Sequence, residues 1–272
     1  MKKILLLIFM TILFVSPFVA ATTMMTSDKA QSEMTMQSTT TGFTHTVFIE
    51  EGTTTWCPNC PLAAETLNSL YNDSERPFYY VALVSDKNPL ASNRFWGHYR
   101  GMAIPTIFVD GGFNQLVGDT LKYRSSIDEA GARTVKPLEL TTNVVGHGDA
   151  KLDITVTVKN TGSTKYLGYV RSYVTEIISR WINQGGDPYH FGFLDYAVKS
   201  VVSLAPQESR TFTMTWDGAA THGNQTFSNI VDDNIMVITA VASLQPHLVA
   251  KEQYIGTHFA FYVDQTVGAL VE

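Results

Sequence analysis

The chain has 272 residues, 44% hydrophobic and 16% charged, with 19 Lys and Arg against 25 Asp and Glu, a net charge of −6. That acidity excludes a nucleic-acid role driven by phosphate attraction. Only two cysteines are present, Cys57 and Cys60, which leaves no disulfide staple to spare for a small exported scaffold.

The N-terminus opens with Lys2 and Lys3, an apolar run from Ile4 to Val15, a break at Ser16-Pro17 and the small residues Val19-Ala20-Ala21. This composition reads as a secretory signal peptide over residues 1–21. The apolar stretch is short for a membrane span of about 20 residues, so contact with a membrane is expected only if the segment stays as an uncleaved anchor. An extracytoplasmic location follows: secreted, periplasmic or cell surface. Residues 22–42 are Thr, Ser, Gln and Met with little else apolar and read as a disordered tether. Met24, Met25, Met34 and Met36 offer thioether sulfur to a soft metal, but a low-complexity linker is the simpler account.

Thr44–Glu50 is a short β-rich run. Trp56-Cys57-Pro58-Asn59-Cys60-Pro61 follows, and Leu62, Leu67, Leu70 and Tyr71 then recur at helical spacing. The prediction is strand, turn with both cysteines, then helix. A Cys-x-x-Cys at the mouth of a helix is redox chemistry or half a metal site. The metal reading needs two further ligands. No second Cys pair exists and the seven histidines are scattered, so no metal is assigned and the redox reading is preferred. Near the helix N-terminus a thiolate is stabilised, which makes Cys57 the nucleophile. Cys60, one turn on and more buried, resolves the mixed disulfide. Phe78–Val84 is a further apolar segment. Thr106–Val109, opened by Pro105 and closed by Gly111-Gly112, reads as a strand. Leu121–Ala132 reads as a helix, and Pro137 marks a domain boundary.

These residues resemble the thioredoxin superfamily, whose paired signature is Trp-Cys-x-x-Cys after a core strand and Ile-Pro-Thr opening a later one. The match spans roughly Thr44 to Ala132. The resemblance implies a central sheet flanked by helices, a cis peptide between Ile104 and Pro105, and substrate contact through the backbone of Ile104. It also implies a buried acid six residues before the first cysteine that exchanges a proton with the second. That position is Glu51, with Glu50 as an adjacent competitor. Two departures stand out. Pro58-Asn59 replaces the Gly-Pro of reducing thioredoxins, and Phe78–Val84 lacks the lysine that partners the buried acid.

Residues 136–272 change character. Leu138–Val145 and Leu152–Val158 alternate with period two, and strands are expected at 169–178, 198–204, 209–216, 235–244 and 249–254. Many short alternating strands without helices predict an immunoglobulin-like sandwich, with Trp181 and Trp216 in its core. The aromatic segment Asp187–Phe193 reads as a loop folded back on that sandwich, or alternatively as a partner site.

The expected fold class is therefore an α/β thioredoxin-like domain (43–135) followed by an all-β immunoglobulin-like sandwich domain (136–272). The expected function is an exported thiol–disulfide oxidoreductase acting on protein disulfides through catalytic Cys57 and Cys60. Trp56, Ile104 and Pro105 form the substrate groove and Glu51 is the proton relay. It needs no cofactor, because the dithiol is the redox centre, and no Gly-x-Gly-x-x-Gly follows a strand. An electron donor or acceptor is required as partner. Two other readings stand beside it: a surface binding or adhesion protein whose thioredoxin-like domain is a scaffold with a static disulfide, and a metal-delivery protein.

Overall fold

All seven residues of Phe78–Val84 are buried and none is charged. A strand covered on both faces needs a hydrogen-bonded neighbour along each edge, since water cannot satisfy its backbone there. The computed structural model, which describes residues 42–250 and 255–272, supplies both neighbours. In chain order the strands of the first half are β1 (Val47–Thr53), β2 (Phe78–Val84), β3 (Thr106–Val109) and β4 (Asn114–Val117). The helices are α1 (Cys60–Asn72), α2 (Pro89–Ser92) and α3 (Tyr123–Gly131), with a π-helical turn at Asn93–His98. The second half contributes β5 (Leu138–Gly146), β6 (Lys151–Asn160), β7 (Tyr166–Ile182), β8 (Pro188–Leu204) and β9 (Ser209–Asp217). It ends with β10 (Ile235–Ser243), β11 (His247–Val249), β12 (His258–Ala260) and β13 (Val263–Leu270). The signal segment expected at 1–21, and the tether expected at 22–42 except for its last residue, lie outside the described residues. So does the stretch 251–254 of the last expected strand.

β2 pairs parallel with β1 on one side and, through Ala82 and Gly192, parallel with β8 on the other. That second pairing joins the two halves of the chain. One eight-stranded mixed sheet runs in the order β13-β10-β7-β8-β2-β1-β3-β4, beside a three-stranded sheet β5-β6-β9 and the β11-β12 ribbon.

This corrects the expected fold class. Among the described residues the protein is mostly β, 49% strand and 17% helical, with three α-helices of 13, 4 and 9 residues. A thioredoxin-like α/β domain followed by an immunoglobulin-like sandwich does not describe it, because strands on both sides of residue 135 share one sheet. The likeness carried by Trp56–Cys60 and Ile104-Pro105-Thr106 does not extend to the fold as a whole. The assignment to the thioredoxin superfamily, and the thioredoxin-like oxidoreductase class inferred from it, lose the fold on which they rested. The physical reason is that alternation reports the faces of a strand and not its partners. β6 alternates as a half-covered strand should, but Ile235–Ala242 of β10 is buried throughout. A strand buried on both faces lies inside a two-sided sheet.

The β5-β6-β9 sheet covers one face of β7, β8 and β10. Leu152, Ile154, Val156 and Trp216 meet Val170, Val174, Val202 and Val237 there. On the other face Tyr173, Ile238 and Ala240 join Phe48, Tyr79 and Val81 in a second core. The large sheet thus curls back on itself, and the ring of Tyr79 lies against the backbone of Gly268 in β13. A Cβ at Gly268 would overlap that ring. Gly268→Ala is expected to destabilise the protein by about 1–3 kcal/mol, an overpacking cost, read as a lower urea midpoint at unchanged slope. A midpoint equal to the parent's would mean that the Tyr79 contact is slack.

Candidate functional site

Cys57 and Cys60 are joined as a disulfide, with their Cα atoms 5.4 Å apart. Thr53 closes β1, and the chain turns through Thr54–Asn59 before α1 starts at Cys60. Asn59 caps that helix without a side-chain bond, and Pro61 fits its first turn because the missing N–H has no partner there anyway. Cys57 stands three residues ahead of the helix. The expected contrast between an exposed first cysteine and a buried second is weak in the oxidised form: Cys57 is 3% exposed and Cys60 0%. Trp56 is 61% exposed. Thr55 is tied down by Asp86, which accepts from its backbone N at 2.9 Å and its hydroxyl at 2.5 Å.

The neighbours Glu50 and Glu51 point to opposite faces of β1, and their environments differ sharply. Glu50 is buried against Arg94, which donates to both carboxylate oxygens at 2.7 and 2.6 Å, and accepts further bonds from Tyr99 at 2.5 Å and Tyr173 at 2.9 Å. Burial alone would raise its pKa. The Arg94 charge, the hydrogen bonds from Arg94 and Tyr99 and the Arg171 charge outweigh that and hold it at about 2. Glu51 is equally buried, yet neither carboxyl oxygen has a hydrogen-bond partner among the described residues. Burial pushes its pKa up to about 8, because desolvation penalises the charged form. It is therefore a neutral acid at pH 7. The ladder places Glu51 opposite Ala82 and Thr53 opposite Val84. Ala82 and Val84 pack with Ala64 of α1, one turn after Cys60. Glu51 thus faces the helix whose first residue is Cys60, and Glu50 does not.

The Ile104–Pro105 peptide is cis. Thr106 pairs with Gly52, so Pro105 lies at the end of β3 beside the end of β1 from which the chain enters Thr54–Cys57. Pro105 is buried and Ile104 half-buried. The sheet therefore gathers Glu51, the disulfide, Ile104 and Pro105 at one end. Sequence reasoning missed two contributors. Arg94 answers Glu50 from a π-helical turn 44 residues away, and no local pattern links them. Tyr189, in the segment read as a loop on the sandwich, belongs to β8 and reaches Thr53 and Thr54 instead. Among the described residues, no group of three or more His, Cys, Asp or Glu comes together to hold a metal, and no helix is long and apolar enough to cross a membrane.

No protein-family model and no curated protein matches the chain. Among solved structures it is similar to protein AGR_C_4864 from Agrobacterium tumefaciens, at 14% identity and TM-score 0.45, over 83% of this chain and 94% of that one. A beta-glucosidase from Listeria innocua aligns at 15% identity and TM-score 0.28, over 50% of this chain and 16% of that one. Bacteroides uniformis beta-glucuronidase aligns at 15% identity and TM-score 0.27, over 48% of this chain and 12% of that one. The chain spans a small part of both glycosidases. At these scores none of the likenesses carries an argument about activity, and what the chain does must be argued from its own residues.

Proposed function

We propose that Cys57 and Cys60 form an exchangeable dithiol–disulfide couple that trades an electron pair with protein thiols outside the cytoplasm. One observation carries this reading: a disulfide of short span at the head of a helix whose sheet face holds a buried carboxyl, Glu51, with no hydrogen-bond partner among the described residues. A static staple has no use for such an acid, which costs stability wherever it sits unpaired. The chemistry balances as follows in the reductive direction. A partner thiolate attacks Cys57 Sγ, forming a mixed disulfide, and the Cys57–Cys60 bond breaks with its electron pair on Cys60 Sγ. Glu51 supplies a proton to that thiolate and regains one from solvent. The partner's second thiolate then attacks the partner sulfur of the mixed disulfide, so the partner leaves oxidised and Cys57 takes a proton from water. Two electrons pass from the partner to the cysteine pair, the two protons the partner thiols lose to solvent on ionising balance the two taken up through Glu51 and from water, and the reverse sequence reduces a partner disulfide.

Trp56, Ile104 and Pro105 are assigned to the partner's approach. The extracytoplasmic setting rests on the composition of residues 1–21. A second reading, a surface binding protein with a static disulfide, is favoured by the low exposure of both cysteines. Two measurements separate them. Equilibration with glutathione is expected to place the couple within the biological range, and a potential below about −300 mV would favour the staple. Cys60→Ser is expected to accumulate mixed disulfides through Cys57 on non-reducing gels, because the resolving thiol is gone. An empty lane for this variant, matching its Cys57→Ser control, counts against exchange.

A further inference from the structure

The β7–β8 hairpin comes from the second half of the chain, yet it grips the cysteine segment on both flanks. Before Cys57, the Tyr189 hydroxyl accepts a hydrogen bond from Thr53 Oγ1 at 2.8 Å and donates to the Thr54 carbonyl at 2.9 Å. After Cys60, the Tyr189 ring packs in one cluster with Ala64, Ala82 and Val84. The hairpin tip lies over Pro61, the residue following Cys60: a Cβ on Gly185 would sit 3.4 Å from Pro61 Cβ. The tip is itself braced. Asn183 Oδ1 accepts from the backbone N of Gly185 at 2.7 Å and of Asp187 at 3.3 Å.

Below the tip, Phe191 holds a left-handed backbone, φ +51°, a conformation that a bulky residue adopts only when its surroundings enforce it. The enforcing contacts are Tyr71 of α1 and Tyr80 of β2, whose ring centroids lie 4.9 and 5.0 Å from that of Phe191. Asn88 anchors the same strand, donating to the carbonyls of Phe193 at 2.7 Å and Leu194 at 2.8 Å. The arrangement is a buttressed arm from which the buried Tyr189 hydroxyl bonds Thr53 and Thr54, at the start of the turn that carries the disulfide.

We infer that Tyr189 is a positioning residue for the Cys57–Cys60 couple, and that the β7–β8 hairpin is a clamp limiting how readily Cys57 Sγ is presented to an attacking thiolate. Cys57 is 3% exposed, so in-line attack requires the Thr53–Cys57 segment to open, and local opening is governed by the bonds that hold the segment shut. Tyr189 makes two of them. Releasing the hydroxyl leaves the ring in place and removes these two holds, while the Asp86 bonds to Thr55 remain. The inference rests on the exchange reading for its purpose, but the clamp can be measured separately.

The test is the rate at which dithiothreitol reduces the disulfide in the intact folded chain. Tyr189→Phe is expected to accelerate reduction about tenfold, the order set by losing two hydrogen bonds from the closed state. Thr53→Val removes one of the two bonds and is expected to give a smaller acceleration in the same direction. Should Tyr189→Phe fail to fold, Thr53→Val alone carries the test. Ser172→Ala is the control for general loosening. It breaks a buried hydroxyl pair with Thr239 at 2.8 Å between β7 and β10, and it is expected to leave the rate unchanged. Reduction of the Tyr189 or Thr53 variants at the parent rate, or equal acceleration by Ser172→Ala, overturns the clamp. Excess dithiothreitol, with the released thiols trapped by alkylation, reads the rate of opening and not the position of the equilibrium. A glutathione equilibrium placing the potential of the couple below about −300 mV removes the exchange reading while leaving the clamp result intact.

Discussion

Arg94→Met at pH 7 is expected to cost about 3–5 kcal/mol of folding stability, because it strips the counter-charge from a carboxylate with no access to water. Glu50 is 0% exposed, and Arg94 both donates to it twice and stacks over the Tyr99 ring at 4.2 Å. With Arg94 gone, the Tyr99 and Tyr173 hydroxyls remain as donors and Arg171 as a weaker positive charge, but none of them replaces the paired guanidinium. Glu50→Gln is expected to cost a similar amount by leaving the guanidinium unpaired. The double variant Glu50→Gln/Arg94→Met should recover much of the loss, since what is expensive is the orphaned charge and not the absence of the pair. Urea titrations of the three variants measure this, and losses that simply add would show that the two groups are not coupled. The same pair sets acid sensitivity. The folded pKa of Glu50, about 2, lies below the ordinary 4.5, so its contribution is present above pH 4.5 and is lost as pH falls towards 2.

Which parts of this were legible follows from how local each signal is. Alternation over Leu138–Val145, Leu152–Val158 and Ser209–Trp216 located β5, β6 and β9 to within two residues, because each of those strands has one covered and one open face. The strand, cysteine turn and helix around Cys57 and Cys60 are sequential, so a short window contains everything that places them. Pairing is not local. Within the large sheet the halves meet at one parallel bridge at Gly192, in a segment where Pro188, Gly192 and four aromatic or imidazole side chains read as a loop. It forms a strand because the aromatics find Tyr71, Tyr80 and Thr53 on elements more than a hundred residues earlier, and because bulges let β7 and β8 bend while staying paired. β13 escaped notice for a similar reason: Asp264 and Gly268 interrupt its apolar pattern, and Gly268 is required only by a ring on β2. The sequence prefers Glu51 to Glu50 only through the six-residue spacing that the resemblance implies, and adjacent strand residues face opposite ways. Only the partner surfaces, Arg94 on one side and α1 on the other, give them different chemistry.

Glu51→Gln should therefore behave oppositely to any change at Glu50. The folded pKa of Glu51, about 8, lies above the ordinary 4.5. Below pH 4.5 the carboxyl is neutral in both the folded and unfolded chain and exacts nothing for ionisation. As pH rises past 4.5 the unfolded chain ionises while the folded one stays protonated, so stability falls until the folded group ionises near pH 8. At pH 7 the accumulated loss is on the order of 3 kcal/mol, from about 1.4 kcal/mol per pH unit over the interval. Glutamine is isosteric and never ionises. Glu51→Gln is thus expected to raise stability by about that amount at pH 7, to match the parent at pH 4.5, and to flatten the slope between pH 4.5 and 8. Urea midpoints measured across that range with the disulfide intact read the difference directly. If the acid also delivers the proton to Cys60, the stabilised variant should be reduced more slowly by dithiothreitol at pH 7. It should also lose the change in rate that the parent displays near pH 8. A gain in stability with an unchanged reduction profile would leave Glu51 as a buried acid with no part in exchange. An unchanged pH slope would mean that the carboxyl reaches water or a partner in solution, and the strongest support for an exchangeable disulfide would be gone.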